Sequence, residues 1–271
     1  MSPEPVPFST SPAVETFSLV KQFGSFVAVD NIDLRVRRGG FFGFLGPNGA
    51  GKSTTIKMLT GLLAPTSGQL RVLGFDIIAQ PMEVKRRIGV VPEDLNLFER
   101  LTGAEMLAFT GRMYGLTKAE IAQRSKELLE LMDLQEEPRK LIIEYSHGMK
   151  KKLSLACALI HRPEILFLDE PFEGVDAIAS RTLKDLLSRL TARGLTVFLT
   201  SHVLEIVERL CSDIAIIAQG KLLAAGSLTE LRKGIRLDDE SNGPVSLEEY
   251  FIHVVGGARI GSEQEVLQWL T

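Results

Sequence analysis

Gly46-Pro47-Asn48-Gly49-Ala50-Gly51-Lys52-Ser53-Thr54 is the stretch from which the rest of the chain can be read. It fits G-x-x-x-x-G-K-[ST], a loop that cradles phosphate groups. Phe41, Phe42, Phe44 and Leu45 before it predict a short buried strand. Thr54 to Leu62 after it predict a helix with Ile56, Leu59 and Leu62 on one side. Glycines let the backbone bend tightly and present successive N–H groups to phosphate oxygens, and the start of the helix adds positive partial charge. Lys52 is spaced to reach the β- and γ-phosphates of a nucleotide, and the Ser53 hydroxyl to sit on Mg²⁺. Without the flanking strand and helix, the same letters would describe only a glycine-rich turn capping a helix.

The totals around this centre suit one large α/β domain or two closely joined ones, with 271 residues, 45% hydrophobic and 24% charged. A net charge of −3 points to no nucleic-acid partner held by bulk charge. Cys157 and Cys211 lie far apart in apolar helical settings and read as buried thiols in a reducing compartment. No segment approaches the roughly 18 continuous apolar residues of a membrane helix, and no covalent lipid anchor is evident. The start, about 1–12, carries Pro3, Pro5, Pro7 and Pro12 without an apolar run, which predicts a disordered leader rather than a secretory signal. The chain is expected to be soluble and to reach a membrane only through a partner.

In order, Val14 to Val36 alternate apolar and polar residues, as in Ile32, Leu34 and Val36 against Asp33, Arg35 and Arg37, and predict an antiparallel sheet. Ile88 to Val91 predict a strand ending at Pro92-Glu93. Gly103 to Gly115, Lys118 to Leu134 and Ser146 to Ile160 predict helices, so that about 94–148 reads as a helical insert in an α/β core. Ile165 to Leu168 and Thr196 to Thr200 are continuous apolar runs suited to buried parallel strands. A helix from Arg181 to Leu190 separates them. Beyond 234, a loose polar stretch precedes a short helix with Leu247, Tyr250, Phe251, Val254 and Val255 on one face; in 259–271, Val266, Leu267, Trp269 and Leu270 are expected either to pack back or to lie in a contact.

Asp169 ends the first apolar run, as a Mg²⁺-holding carboxylate must, and Glu170 follows where it could polarise a hydrolytic water. The competing reading is a pair of carboxylates capping a turn. His202 ends the second run; taken alone, a histidine there is an ordinary polar strand end.

An ordered set of segments completes the picture: Gly46 to Thr54, Val91-Pro92-Glu93, Tyr145-Ser146-His147-Gly148-Met149, Ile165 to Glu170, Gly174-Val175-Asp176 and Ser201-His202. Together they resemble the nucleotide-binding subunits of ATP-binding cassette transporters over about 13–234. The resemblance implies an α/β fold: a RecA-like P-loop NTPase core with an N-terminal antiparallel β-subdomain and an inserted α-helical subdomain. It implies ATP and Mg²⁺ as ligands, with Ser53, Glu93 and Asp169 toward the metal. Glu170, His202 and Lys52 take the catalytic roles, His202 as the switch residue at the γ-phosphate. Phe23 falls where the family stacks an aromatic on adenine; core packing is its alternative. Ser146 and Gly148 open the signature helix, which in the family binds the γ-phosphate held by the other subunit of a head-to-tail dimer. Asp176 matches the loop that crosses that interface.

Three departures stand out. His147 occupies a usual glycine position, Glu93 replaces a usual glutamine, and Phe172-Glu173 follow Glu170-Pro171 where Thr and a small polar residue are common. The Tyr-Ser-His-Gly-Met signature followed by Lys150-Lys151-Lys152 is similar to exporters whose subunit serves separate multi-span permeases. On their own, the three lysines read as a solvated helix face. Among Leu95, Leu97, Phe98, Leu101, Met106, Leu107, Phe109 and Met113, most are expected in the core of the insert and some in a groove receiving a helix of the permease. The resemblance therefore implies an ATPase powering export from the cytoplasmic face of the plasma membrane. A soluble cassette ATPase acting in assembly, or a binding-only regulatory cassette, are the alternatives.

Overall fold

The computed structural model describes residues 11–135, 139–233 and 246–259. The expected leader 1–12 lies outside them apart from Ser11 and Pro12, as do the loose stretch at 235–243 and the tail 259–271 apart from Arg259. A hairpin of β1 (Val14–Phe23) and β2 (Phe26–Val36) comes first. β3 (Phe41–Leu45) then leads through the glycine loop into α1 (Lys52–Leu59). β4 (Ser67–Val72), β5 (Phe75–Asp76), α2 (Pro81–Lys85) and β6 (Ile88–Val91) follow. α3 (Gly103–Met113), α4 (Lys118–Leu131), a 3-10 turn at Ile142–Glu144 and α5 (His147–Leu159) form a helical run. The chain then alternates through β7 (Ile165–Asp169), α6 (Ala177–Thr191), β8 (Thr196–Ser201), α7 (Leu204–Leu210) and β9 (Asp213–Ala218). It continues with β10 (Lys221–Ser227), α8 (Leu228–Lys233) and α9 (Leu247–Arg259).

Two sheets result. A four-stranded antiparallel sheet has the order β2-β1-β4-β5. A six-stranded sheet has the order β10-β9-β3-β8-β7-β6 and is parallel apart from the β10–β9 pair. The apolar runs of β3, β7, β8 and β9 are explained by burial on both faces. Successive side chains of a strand point to opposite sides. Phe42, Phe44, Ile165, Phe167, Phe198, Ala215 and Ile217 accordingly join one core with α1 and the antiparallel sheet. Leu45, Leu166, Leu168, Val197, Leu199, Ile214 and Ile216 join another with α5, α6 and α7.

Phe198 centres the first core, its ring 5.3 Å from Phe42, 5.5 Å from Phe44 and 5.5 Å from Phe167. Phe198→Ala is expected to cost about 3–5 kcal/mol, from lost burial plus an unfilled cavity. Urea unfolding should show this as a lower midpoint at unchanged slope.

Local chemistry explains the boundaries. Thr102 and Thr117 each cap their helix with a reciprocal Glu, Glu105 and Glu120, so α3 and α4 start where the capping-box pattern falls. α6 starts at Ala177, ahead of the expected Arg181, because the Asp176 carboxylate accepts from the N–H groups of Ile178 (3.0 Å) and Ala179 (2.9 Å). α1 ends early. Gly61 adopts φ +69°, and the N–H groups of Leu62 and Leu63 bond back to the Lys57 carbonyl. Leu62 is thereby turned out, 68% exposed, and does not share the core face of Ile56 and Leu59. Both cysteines are buried free thiols. Burial pushes the Cys157 thiol up to about 12 and raises that of Cys211 as well.

Candidate active site at the strand ends

Register brings the chemistry together. β3 pairs Leu45 with Ser201 of β8, β8 pairs Thr200 with Asp169 of β7, and β7 pairs Leu168 with Val91 of β6. The parallel strands therefore end along one edge. The glycine loop, Asp169-Glu170, Ser201-His202 and Pro92-Glu93 emerge side by side, in the crevice where α/β sheets bind ligands.

Two glycines of the loop cannot be replaced without collision. A Cβ on Gly46 would lie 2.3 Å from the Ile217 carbonyl oxygen, and one on Gly51, at φ +106°, 2.5 Å from that of Ala28. Pro47, Asn48 and Gly49 form the outer rim, Ala50 is buried, and Ser53 and Thr54 are half-buried in the first turn of α1. Lys52 is buried. Its Nζ donates to the carbonyls of Gly46 (2.8 Å) and Pro47 (3.3 Å) and stands 3.6 Å from Glu170 Oε1.

Asp169 and Glu170 are both buried, 4% and 6% exposed. The Thr200 hydroxyl serves both. It donates to Asp169 Oδ1 at 2.6 Å and accepts from the Glu170 N–H at 3.1 Å. Glu170 sits at φ +46°, a left-handed conformation unusual for a side-chain-bearing residue. Its Oε2 lies 3.1 Å from Nδ1 of the half-exposed His202. Its Oε1 is buried without a hydrogen-bond partner among the described residues. A buried carboxylate oxygen so left is a site prepared to accept a proton or a hydrogen bond from something else.

The remaining candidates lie at the rim. Phe23 is 49% exposed with Lys21 Nζ 5.0 Å from its ring centroid, so it is not a core residue. Its hairpin partner β2 runs on to Ala28, which abuts Gly51 and Gly220. Glu93 is exposed just beyond β6. Ser146 caps α5, its Oγ accepting from the Met149 N–H at 3.2 Å. Gly148 lies beside Asp176, whose Oδ2 would be 3.6 Å from an added Cβ. Among the described residues no hydrogen bond joins Ser146 or Gly148 to the phosphate loop.

Two side chains escaped sequence reasoning. Thr200 looked like part of an apolar strand. Lys151 was expected on a solvated face, yet it is 3% exposed and its Nζ donates to the Glu170 carbonyl at 2.7 Å. Its neighbours are partly buried rather than solvated, Lys150 pairing with Glu99 at 2.9 Å and Lys152 lying 3.7 Å from Asp133. The missed signal was periodicity: Gly148, Lys151, Leu155 and Ala158 are all buried at helical spacing. Phe172, without explanation in the sequence, is buried in the core with Leu168 and Leu183, and Lys184 Nζ stands 5.4 Å from its ring.

The chain is similar to known proteins over most of its length. A family model described as ABC transporter matches residues 29–173, more than half of the chain. The linearmycin resistance ATP-binding protein LnrL of Bacillus subtilis (strain 168) is 41% identical over 214 residues, 79% of this chain and 69% of that protein. The bacitracin transport ATP-binding protein BcrA of Bacillus licheniformis is 38% identical over 248 residues, 89% of this chain and 80% of that protein. A solved ATP-binding subunit of an ABC transporter superposes with a TM-score of 0.81 at 30% identity, covering 90% of this chain and 99% of the other. The matching family model and these relatives, on this framework, mean that the chain belongs to the ABC transporter family, as one of its ATP-hydrolysing subunits.

Proposed function

We propose that this subunit powers export through a separate multi-span permease, as a head-to-tail dimer on the cytoplasmic face of the membrane. The observation that carries the catalytic part is Glu170, buried, with Oε1 lacking a hydrogen-bond partner among the described residues and Oε2 on His202. In this reading Glu170 orients the attacking water and accepts its proton, Lys52 neutralises charge developing on the transferred phosphoryl group, and His202 senses the γ-phosphate. The loop from Gly46 to Thr54 holds the phosphates through its N–H groups, and Phe23 offers a flat exposed face to the base. Mg²⁺, when bound, would supply further neutralisation of the phosphate charge. Ser53 and Asp169 are the residues here that fit it, with Glu93 beside them, since Mg²⁺ favours hard oxygen donors.

Ser146 and His147 are exposed at the start of α5, with Gly148 buried just behind them, and the first N–H groups there have no partner within the helix. Pointed at the phosphates held by a second copy, they would complete its site. Asp176, next to Gly148, lies where the two copies would meet.

Toward the permease, the insert exposes Phe98 (52%), Phe109 (42%) and Met113 (73%), with Phe98 and Phe109 packed edge to face. Leu107 is core, and Leu95, Leu97, Leu101 and Met106 are partly buried. An apolar patch of this kind marks a partner surface. Among the described residues no helix is long and apolar enough to cross a membrane. The exporter reading also draws on relatives named for linearmycin resistance and bacitracin transport. Its test is purification of the tagged chain from detergent-solubilised native membranes. A multi-span protein should co-purify and be lost on Met113→Glu with the isolated ATPase intact. Recovery of soluble partners alone would favour a role in assembly.

A further inference from the structure

We propose that Lys151 is a positioning residue for Glu170, clamping the peptide that carries this carboxylate to the helix that begins at Ser146. The inference rests on the reading of Glu170 as the residue that orients the attacking water.

The Glu170 peptide is held on both sides by side chains. Its N–H donates to Thr200 Oγ1 at 3.1 Å, and its carbonyl accepts from Lys151 Nζ at 2.7 Å and from the Glu173 N–H at 3.3 Å. Such restraint is what a residue at φ +46° requires, because local preference does not hold it there. Burying an ammonium is costly unless it is well partnered. Burial pulls the Lys151 pKa down, while the charges of Glu173, Glu170, Glu93 and Asp169 oppose that shift. A lysine spent this way on a backbone carbonyl beside the reactive carboxylate is not explained by packing alone. An apolar side chain would fill the space between Val91, Leu155, Leu168 and Leu183, which line the same pocket.

The clamp has a second consequence. Lys151 lies five residues into α5 from Ser146, about 7.5 Å along the axis at 1.5 Å per residue. The exposed start of α5 and the peptide that carries the buried carboxylate are therefore joined by less than two helical turns and one hydrogen bond. A shift of the helix start is passed to the Glu170 peptide of the same chain.

The test uses the full chain, with steady-state and single-turnover ATP hydrolysis and equilibrium ATP binding. Lys151→Met is expected to lower kcat about 10–100-fold with KM and ATP affinity held within about threefold, the signature of a group acting on the chemical step. Lys151→Arg should recover part of the loss. In a Glu170→Gln background, Lys151→Met should change the residual single-turnover rate less than about twofold, because both act through one carboxylate. Lys151→Gln carries the same expectation of kcat loss where the Met variant does not fold. A kcat within twofold of the parent in both variants, or an equal loss in both backgrounds, overturns the clamp. An inactive Glu170→Gln beside a fully active Lys151→Met overturns it alone. Parental turnover by Glu170→Gln would overturn the reading of Glu170 itself, and the clamp with it.

Discussion

Replacing Glu170 by Gln is expected to reduce ATP turnover about 10²–10⁴-fold, the range attributed to a positioned general base. Glutamine keeps the shape of the side chain and one oxygen acceptor but has no charge with which to draw a proton from water. The site is built to feel that difference. Glu170 is 6% exposed, its Oε1 has no hydrogen-bond partner among the described residues, and bulk water has little access with which to substitute for the lost base. Nucleotide affinity should hold or rise, because Lys52, 3.6 Å from Oε1, is released from a competing negative charge. Binding without turnover should then accumulate an ATP-loaded dimer, visible by gel filtration. Phosphate release at the parental rate would remove Glu170 from the mechanism.

Lys52→Ala is expected to act on binding first. Charge-assisted hydrogen bonds contribute about 1.5–3 kcal/mol each. If Lys52 meets two phosphates, as the proposed function has it, its loss should weaken ATP binding by about 3 kcal/mol, roughly a hundredfold in Kd. The fold adds to the effect locally. Lys52 Nζ also ties down the carbonyls of Gly46 and Pro47, so its removal loosens the loop that must present N–H groups to phosphate. It also leaves Glu170 without the buried cation beside its Oε1. Calorimetric titration with ATP measures the first effect, and thermal unfolding without nucleotide the second. A Kd within a few-fold of the parent would mean that the loop backbone alone carries the phosphates.

Much of this was legible in the residues because several signals were local. The apolar runs of β7 and β8, the Thr102 and Thr117 capping boxes and the glycine loop each depend on neighbours in sequence. What escaped depends on partners distant in the chain. Lys151 meets the Glu170 carbonyl across 19 positions and Thr200 meets Asp169 across 31, and neither pairing leaves a mark on composition. A run of three lysines suggested water, and only the spacing of Gly148, Leu155 and Ala158 argued otherwise. Leu62 was misread for the opposite reason: helical periodicity continued past Gly61, where the backbone did not.

The left-handed backbone at Glu170 has a bearing on how this protein can be engineered. Glycine relieves such a conformation at little steric cost, so a library screened only for heat resistance would be drawn to substitute that position. The gain in robustness would remove the carboxylate, and thermal hardening and turnover would diverge at one codon.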